Sequence, residues 1–212
     1  MGQSAWPCPD VSGNGKMVSS LNRPTRMPAF LIPLPGWQHT ANTATIALLE
    51  SWGVDCAQDR PIPVAGIILQ PKAEHHLTLA NTALVAELQR ALRGDVHAWL
   101  QQRWQAGDTR ILPTGQLTLL HKRPDSAPHG TGSWSLVEAV IVPGQEAFLR
   151  QLEHRLGRQL PRPPAHVTTH VAGRLQGIGL PRKRLFSRYA GAAARAAKSA
   201  DSLTPIAPQA GT

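Results

Sequence analysis

Cysteine is scarce in this chain of 212 residues, which holds only Cys8 and Cys56. Two thiols are too few for a disulfide framework, so a stapled secreted domain is not expected. Long apolar runs are missing too: no stretch approaches the roughly 18 residues that a membrane span requires. The N-terminus, Met1 to Asp10, has neither a charged n-region nor an apolar h-region, and no secretory signal is read there. Trp6 stands where a myristoylation motif starting at Gly2 wants Ser or Thr. These absences point to a cytoplasmic protein with no membrane partner.

Acidic side chains are few, 13 against 22 Lys and Arg, giving a formal net charge of +9. The excess is unevenly spread. Residues 1–30 carry three basic and one acidic side chain, and residues 31–181 carry 13 and 11. Residues 182–212 carry six basic side chains (Arg182, Lys183, Arg184, Arg188, Arg195, Lys198) against Asp201 alone. The pI of about 10.8 is therefore mostly a property of this last segment and says little about the rest. Such a tail either holds nucleic acid through phosphate contacts or is a solvated, flexible end, with only Phe186 and Tyr189 as stacking surfaces.

Residues 1–27, rich in Gly, Ser, Pro and Asn without periodicity, are expected to be disordered. The body is assigned to residues 28–181 and the basic tail to 182–212. Hydrophobic residues at 42% and charged residues at 17% suit one sizeable core, or two small lobes sharing one. Pro28 to Pro35 reads as an extended lead-in, and Asn42 or Thr43 as the cap of a short helix through Trp52. Strands are expected at Val64 to Leu69, His75 to Ala80, Leu117 to Lys122, Trp134 to Val142 and Ala165 to Val171. A helical period runs from Thr82 to Trp104 with a break at Gly94, and another from Gln145 to Leu160. Trp37, Trp52, Trp99, Trp104 and Trp134 read as packing residues. The loose recurrence of helix, motif strand and strand suggests a pseudo-duplicated, bilobal α+β protein. Its two antiparallel sheets, with flanking helices, would enclose a central cleft.

What the chain does hold is a repeated tripeptide. His76-Leu77-Thr78 and His166-Val167-Thr168 lie 90 residues apart, each within a strand pattern. A strand turns successive side chains to opposite faces, so imidazole and hydroxyl project together while Leu77 or Val167 packs behind. At this composition roughly one His-x-Ser/Thr arises by chance, and the chain has three. The third, His129-Gly130-Thr131, sits in a Pro/Gly/Ser loop without strand character and is the chance match. Taken singly, His76 or His166 reads as a partly buried strand histidine. The matched pair reads instead as an acid and a base near neutral pH beside two hydroxyl donors.

These motifs, with Leu79 and Thr169 following them, resemble the paired signatures of the two-histidine phosphoesterase superfamily. That group includes bacterial 2′-5′ RNA ligase-like proteins and RNA 2′,3′-cyclic phosphodiesterases. The resemblance spans roughly residues 30–181 and extends to the strand and Leu-rich helix ahead of the second motif. It implies a phosphoric diester hydrolase with a cleft that needs no metal or other cofactor. RNA ends or small nucleotides would be the substrate, and the protein a monomer. His76 and His166 would be catalytic, one activating water or a hydroxyl and the other protonating the leaving ribose oxygen, with the assignment open. Thr78 and Thr168 would donate to the nonbridging phosphate oxygens. Thr169 and His170 replace the apolar residue and the basic or aromatic residue usual after the second motif, which leaves the substrate class open.

Two further residues are candidates for the cleft. By strand alternation His170 would face the same way as His166 and Thr168, as a phosphate contact or a solvent-facing residue. The two histidines would lie about 13 Å apart on a strand, too far to share a metal ion. The glycine-rich stretch Gly173 to Gly179 is either a turn or a backbone approach to phosphate with Arg174 as counter-charge. A catalytically inactive accessory protein that binds nucleic acid through the tail is the competing expectation.

Overall fold

The computed structural model describes residues 28–38, 60–64, 66–123, 132–173 and 177–201, excluding the side chains of 197–201. Residues 1–27, the helix expected up to Trp52, the His129 motif and Arg174 lie outside the described residues. In chain order the elements are β1 (Phe30–Pro33), β2 (Ile62–Val64), β3 (Ile67–Pro71), β4 (His76–Ala80), α1 (Thr82–Ala91) and α2 (Val96–Gln105). They continue with β5 (Leu112–Lys122), β6 (Ser133–Ile141), α3 (Gln145–Leu156), β7 (His166–Ala172) and α4 (Lys183–Asp201). The fold is α+β. No helix among the described residues is long and apolar enough to cross a membrane.

The strands among the described residues join one open seven-stranded antiparallel sheet, where the sequence suggested two separate ones. β7 is the hub. One of its edges pairs with β6, which in turn pairs with β5. Its other edge is shared by β3, through Gln70↔Val171 and Pro71↔His170, and β4, through Leu77↔Val167. β2 flanks β3 and β1 flanks β4.

Local chemistry sets the element boundaries. Gly66, at φ +75°, turns the apolar run 62–71 back on itself, so the single strand expected there becomes the β2–β3 pair. Asn81 follows β4 directly and its Oδ1 accepts from Leu84 N at 2.9 Å, starting α1 one residue after the motif strand. Asp95 caps α2 by accepting from His97 N at 2.8 Å, so the break at Gly94 yields two helices. α3 stops at Gly157 (φ +65°), four residues short of the expected Leu160.

Apolar faces of α1, α2 and α3 pack on β4 and β7. Val85, Leu88, Val96, Leu100, Trp104, Phe148, Leu149 and Leu152 form one cluster with Leu77, Leu79 and Val167. A second cluster joins Ile62, Val64 and Leu69 to Leu117, Leu119, Trp134 and Leu136. Of the tryptophans, Trp104 and Trp134 are buried, while Trp37 and Trp99 pack partly covered against the first cluster. Trp37 also donates from Nε1 to the buried Glu138 at 3.0 Å.

The expectation of a free tail from residue 182 is corrected over 183–201. α4 lays Leu185, Phe186, Tyr189 and Ala190 against Leu120, Val137, Ile178 and Leu180, and Ala193 is buried in the second cluster. These positions repeat at helical spacing. Alanine lacks bulk, but its methyl still leaves water when a helix lies close to a strand, so Ala193 belongs to the core and Ala190 and Ala196 pack against it.

Candidate active site

Leu77 and Val167 are Cα partners in the antiparallel contact of β4 with β7. Both are buried in the helical cluster, at 1% and 0% exposure. That seating turns their strand neighbours to the opposite face, where His76, Thr78, His166 and Thr168 are all half-buried. An antiparallel register continued from this one pair would set His76 opposite Thr168 and Thr78 opposite His166. Side chains so aligned stand about 5 Å apart at Cβ, and the diagonal His76–His166 about 7–8 Å. All four line one cavity of about 390 Å³.

The rest of that cavity is built by elements that the motifs bring along. Asn81, Thr82 and Leu84 come from the start of α1, and Leu149 from α3. Leu160, Pro161, Pro163 and Pro164 come from the link into β7. Ile178, Gly179, Leu180 and Pro181 line the cavity too, so the stretch 178–181 after β7 is part of the site. Its anchor is Ile178 N, which donates to the buried Ser135 Oγ at 3.0 Å. Gly177, at φ +75°, passes so close that an added Cβ would lie 3.2 Å from both Ser135 Oγ and Thr168 Cγ2.

The two histidines differ in what holds them. His166 Nδ1 is 2.8 Å from the Pro164 carbonyl oxygen. A carbonyl only accepts, so Nδ1 carries the ring proton and a neutral ring keeps its lone pair on Nε2. Burial pushes the His166 pKa below its ordinary value, and the Pro164 carbonyl partly opposes this. His76 Nδ1 instead meets Lys72 Nζ at 3.3 Å, a donor with no lone pair when charged. Burial is again the main cause of a lowered pKa, followed by Lys72; Glu74 opposes, while His166 and His75 add to the lowering.

Lys72 is the residue that sequence reasoning missed. Burial lowers its own pKa, against Glu74. The available signal was a lysine four residues ahead of the motif histidine. Alternation along a strand does not account for the contact, because Lys72 lies in the interruption between β3 and β4.

His170 is not in the cavity, contrary to the expectation from alternation. The register of β6 on β7 shifts from Leu136↔His170 to Val137↔Thr168, leaving Thr169 as an extra residue. This bulge reverses the alternation. His170 is fully buried, with Nδ1 3.1 Å from Thr169 Oγ1 and Nε2 3.2 Å from the Arg60 carbonyl oxygen. Thr169 is buried as well and donates to the Leu136 carbonyl at 3.2 Å.

Among the described residues, no group of three or more His, Cys, Asp or Glu gathers to hold a metal ion. Arg182, just ahead of α4, and Lys183, Arg184 and Arg188 on it are exposed, away from its packed stripe. Comparison with family models, with curated proteins and with solved structures finds no match for this chain.

Proposed function

We propose that the chain is a phosphodiesterase that opens 2′,3′-cyclic phosphates, or cleaves related 2′-5′ phosphodiesters, at RNA ends or in small nucleotides. One observation carries the reading: two His-apolar-Thr strands meet at Leu77↔Val167 and present both histidines and both threonines to one cavity. With the phosphate between the two strands, His166 Nε2 takes a proton from water as the water oxygen bonds to phosphorus. His76, on the diagonal, donates to the leaving ribose oxygen. Thr78 and Thr168 donate to the nonbridging oxygens, whose charge grows in the transition state. A cavity of about 390 Å³ is within the range of small-molecule sites.

The same reading takes the protein as a bilobal, pseudo-two-fold arrangement working as a cytoplasmic monomer. One half is β1 and β4 with helices α1 to α3, and the other is β2, β3, β5 and β6 with α4. The first apolar cluster gathers β1, β4 and α1 to α3 with only Val140 from β6. The other two gather β2, β3, β5, β6 and α4, which supports the two halves. Assay of the protein on 2′,3′-cyclic nucleotides and 2′-5′-linked dinucleotides, with and without chelator, tests the function. Turnover of either class that chelator leaves unchanged supports it. Inactivity toward both classes contradicts it.

A second reading, an inactive nucleic-acid-binding accessory protein, is favoured by the exposed cations of α4. Charge reversal at Arg184 and Arg188 separates the two. Loss of RNA binding with no turnover in the parent protein supports the accessory role, whereas turnover retained by the variant supports the enzyme.

A further inference from the structure

Lys72 does not line the cavity, yet it reaches the histidine that does. Between Pro71↔His170 and Leu77↔Val167 the β3–β4 segment advances six residues while β7 advances three. The surplus chain forms an interruption that is tied to β7 at its start, where Lys72 N donates to the Thr169 carbonyl at 2.8 Å. The Lys72 ammonium donates to the Glu74 carbonyl at 2.6 Å and faces His76 Nδ1 at 3.3 Å. The ionisable groups acting on His76 are Lys72, Glu74, His75 and His166. An ammonium can only donate, so Nδ1 accepts and the single ring proton of neutral His76 sits on Nε2. The two motif histidines are thereby held in opposite tautomers, one by a carbonyl and one by a cation.

We propose that Lys72 is a positioning residue that holds His76 in its Nε2–H form and supplies the proton His76 hands on. The proposal rests on the phosphodiesterase reading for its second half only. As the bond from phosphorus to the leaving ribose oxygen breaks, its electron pair goes to that oxygen. The oxygen takes the proton from His76 Nε2, and Nδ1 takes one from the Lys72 ammonium. The ring stays neutral with its proton moved to Nδ1, and Lys72 becomes a neutral amine. On the opposite side, the new bond from water to phosphorus sends the water proton to His166 Nε2. The Nδ1 proton then returns to the Lys72 amine, and exchange with solvent removes the proton from His166 and restores the one on His76 Nε2. A partly buried lysine suits this task because loss of water around the ammonium makes its proton easier to release.

Lys72→Met and Lys72→Arg test the two halves separately. Nitrogen NMR of the ring should find Nε2–H for His76 in the parent and in Lys72→Arg, and a redistributed proton in Lys72→Met. On a 2′,3′-cyclic nucleotide both variants should lose about 100-fold in kcat, the scale of a lost general acid. On a p-nitrophenyl phosphodiester, whose phenolate leaves without a proton, both should stay close to the parent. Equal losses on the two substrates overturn the proton supply, and an unchanged His76 tautomer in Lys72→Met overturns the positioning role. If the parent cleaves neither substrate, the phosphodiesterase reading and the proton supply fail together, while the tautomer measurement still decides the positioning role.

Discussion

Leu77 lies opposite Val167 where β4 meets β7, and this apolar pair seats four polar side chains on the other face of the sheet. The chemistry of the site therefore depends on packing behind it. Leu77→Ala is expected to cost about 2–5 kcal/mol in chemical denaturation, the range for a fully buried leucine. It should also lower turnover by loosening the spacing of the histidines. A cost below about 1 kcal/mol would mean that the pair does not anchor the site.

The histidine pKa directions make a prediction about stability and pH. Burial lowers both His76 and His166 from their ordinary value. The unfolded chain then binds more protons than the folded one as pH falls below about 6.5, so stability should drop from there toward the folded-state pKa values. Above that window the contribution is fully present. His166→Asn should flatten part of the fall between pH 7 and pH 5 in a series of denaturation curves. An unaltered pH profile in that variant would contradict an imidazole that folding holds neutral.

His170 provides a contrast with His166. Its ring is buried against Thr169 and the Arg60 carbonyl, outside the cavity. His170→Ala should cost about 1–3 kcal/mol of stability through the polar groups it leaves unpaired. Its kcat on a cyclic phosphate, measured well below the melting temperature, should remain near that of the parent. A folded variant without activity would return His170 to the site.

Gly177 is expected to tolerate no side chain. Its φ of +75° strains any other residue, and a Cβ there would crowd Ser135 Oγ and Thr168 Cγ2. Gly177→Ala should cost about 1–2 kcal/mol for the left-handed conformation alone. It should also raise KM, because Thr168 is displaced from the phosphate oxygens. Unchanged stability and KM would show that the backbone does not pass so close.

The motif strands were legible in the sequence because strand alternation is local: Leu77 and Val167 announce which neighbours share a face. Gly94 was legible for the same reason, as a local interruption of a helical period. His170 was misread because the extra residue at Thr169 appears only when β7 is paired with β6. Lys72 was missed because its approach to His76 depends on surplus chain between two pairings with β7. α4 was read as free because Ala190 and Ala193 bury little area each and carry no strong hydrophobic signal, although Leu185, Phe186 and Tyr189 seat the same face. Separate sheets were expected from two motif strands, whereas β7 borders both β3 and β4 and joins them in one sheet.

The central claim is that His76 and His166 work as a unit on one phosphate. The most direct measurement is kcat on a 2′,3′-cyclic nucleotide for the parent, His76→Ala, His166→Ala and the double variant. Each single change should remove about 100- to 10,000-fold, and the double variant should be little worse than either, as expected for groups that act together. Full activity in either single variant, or losses that simply multiply in the double, would contradict the account.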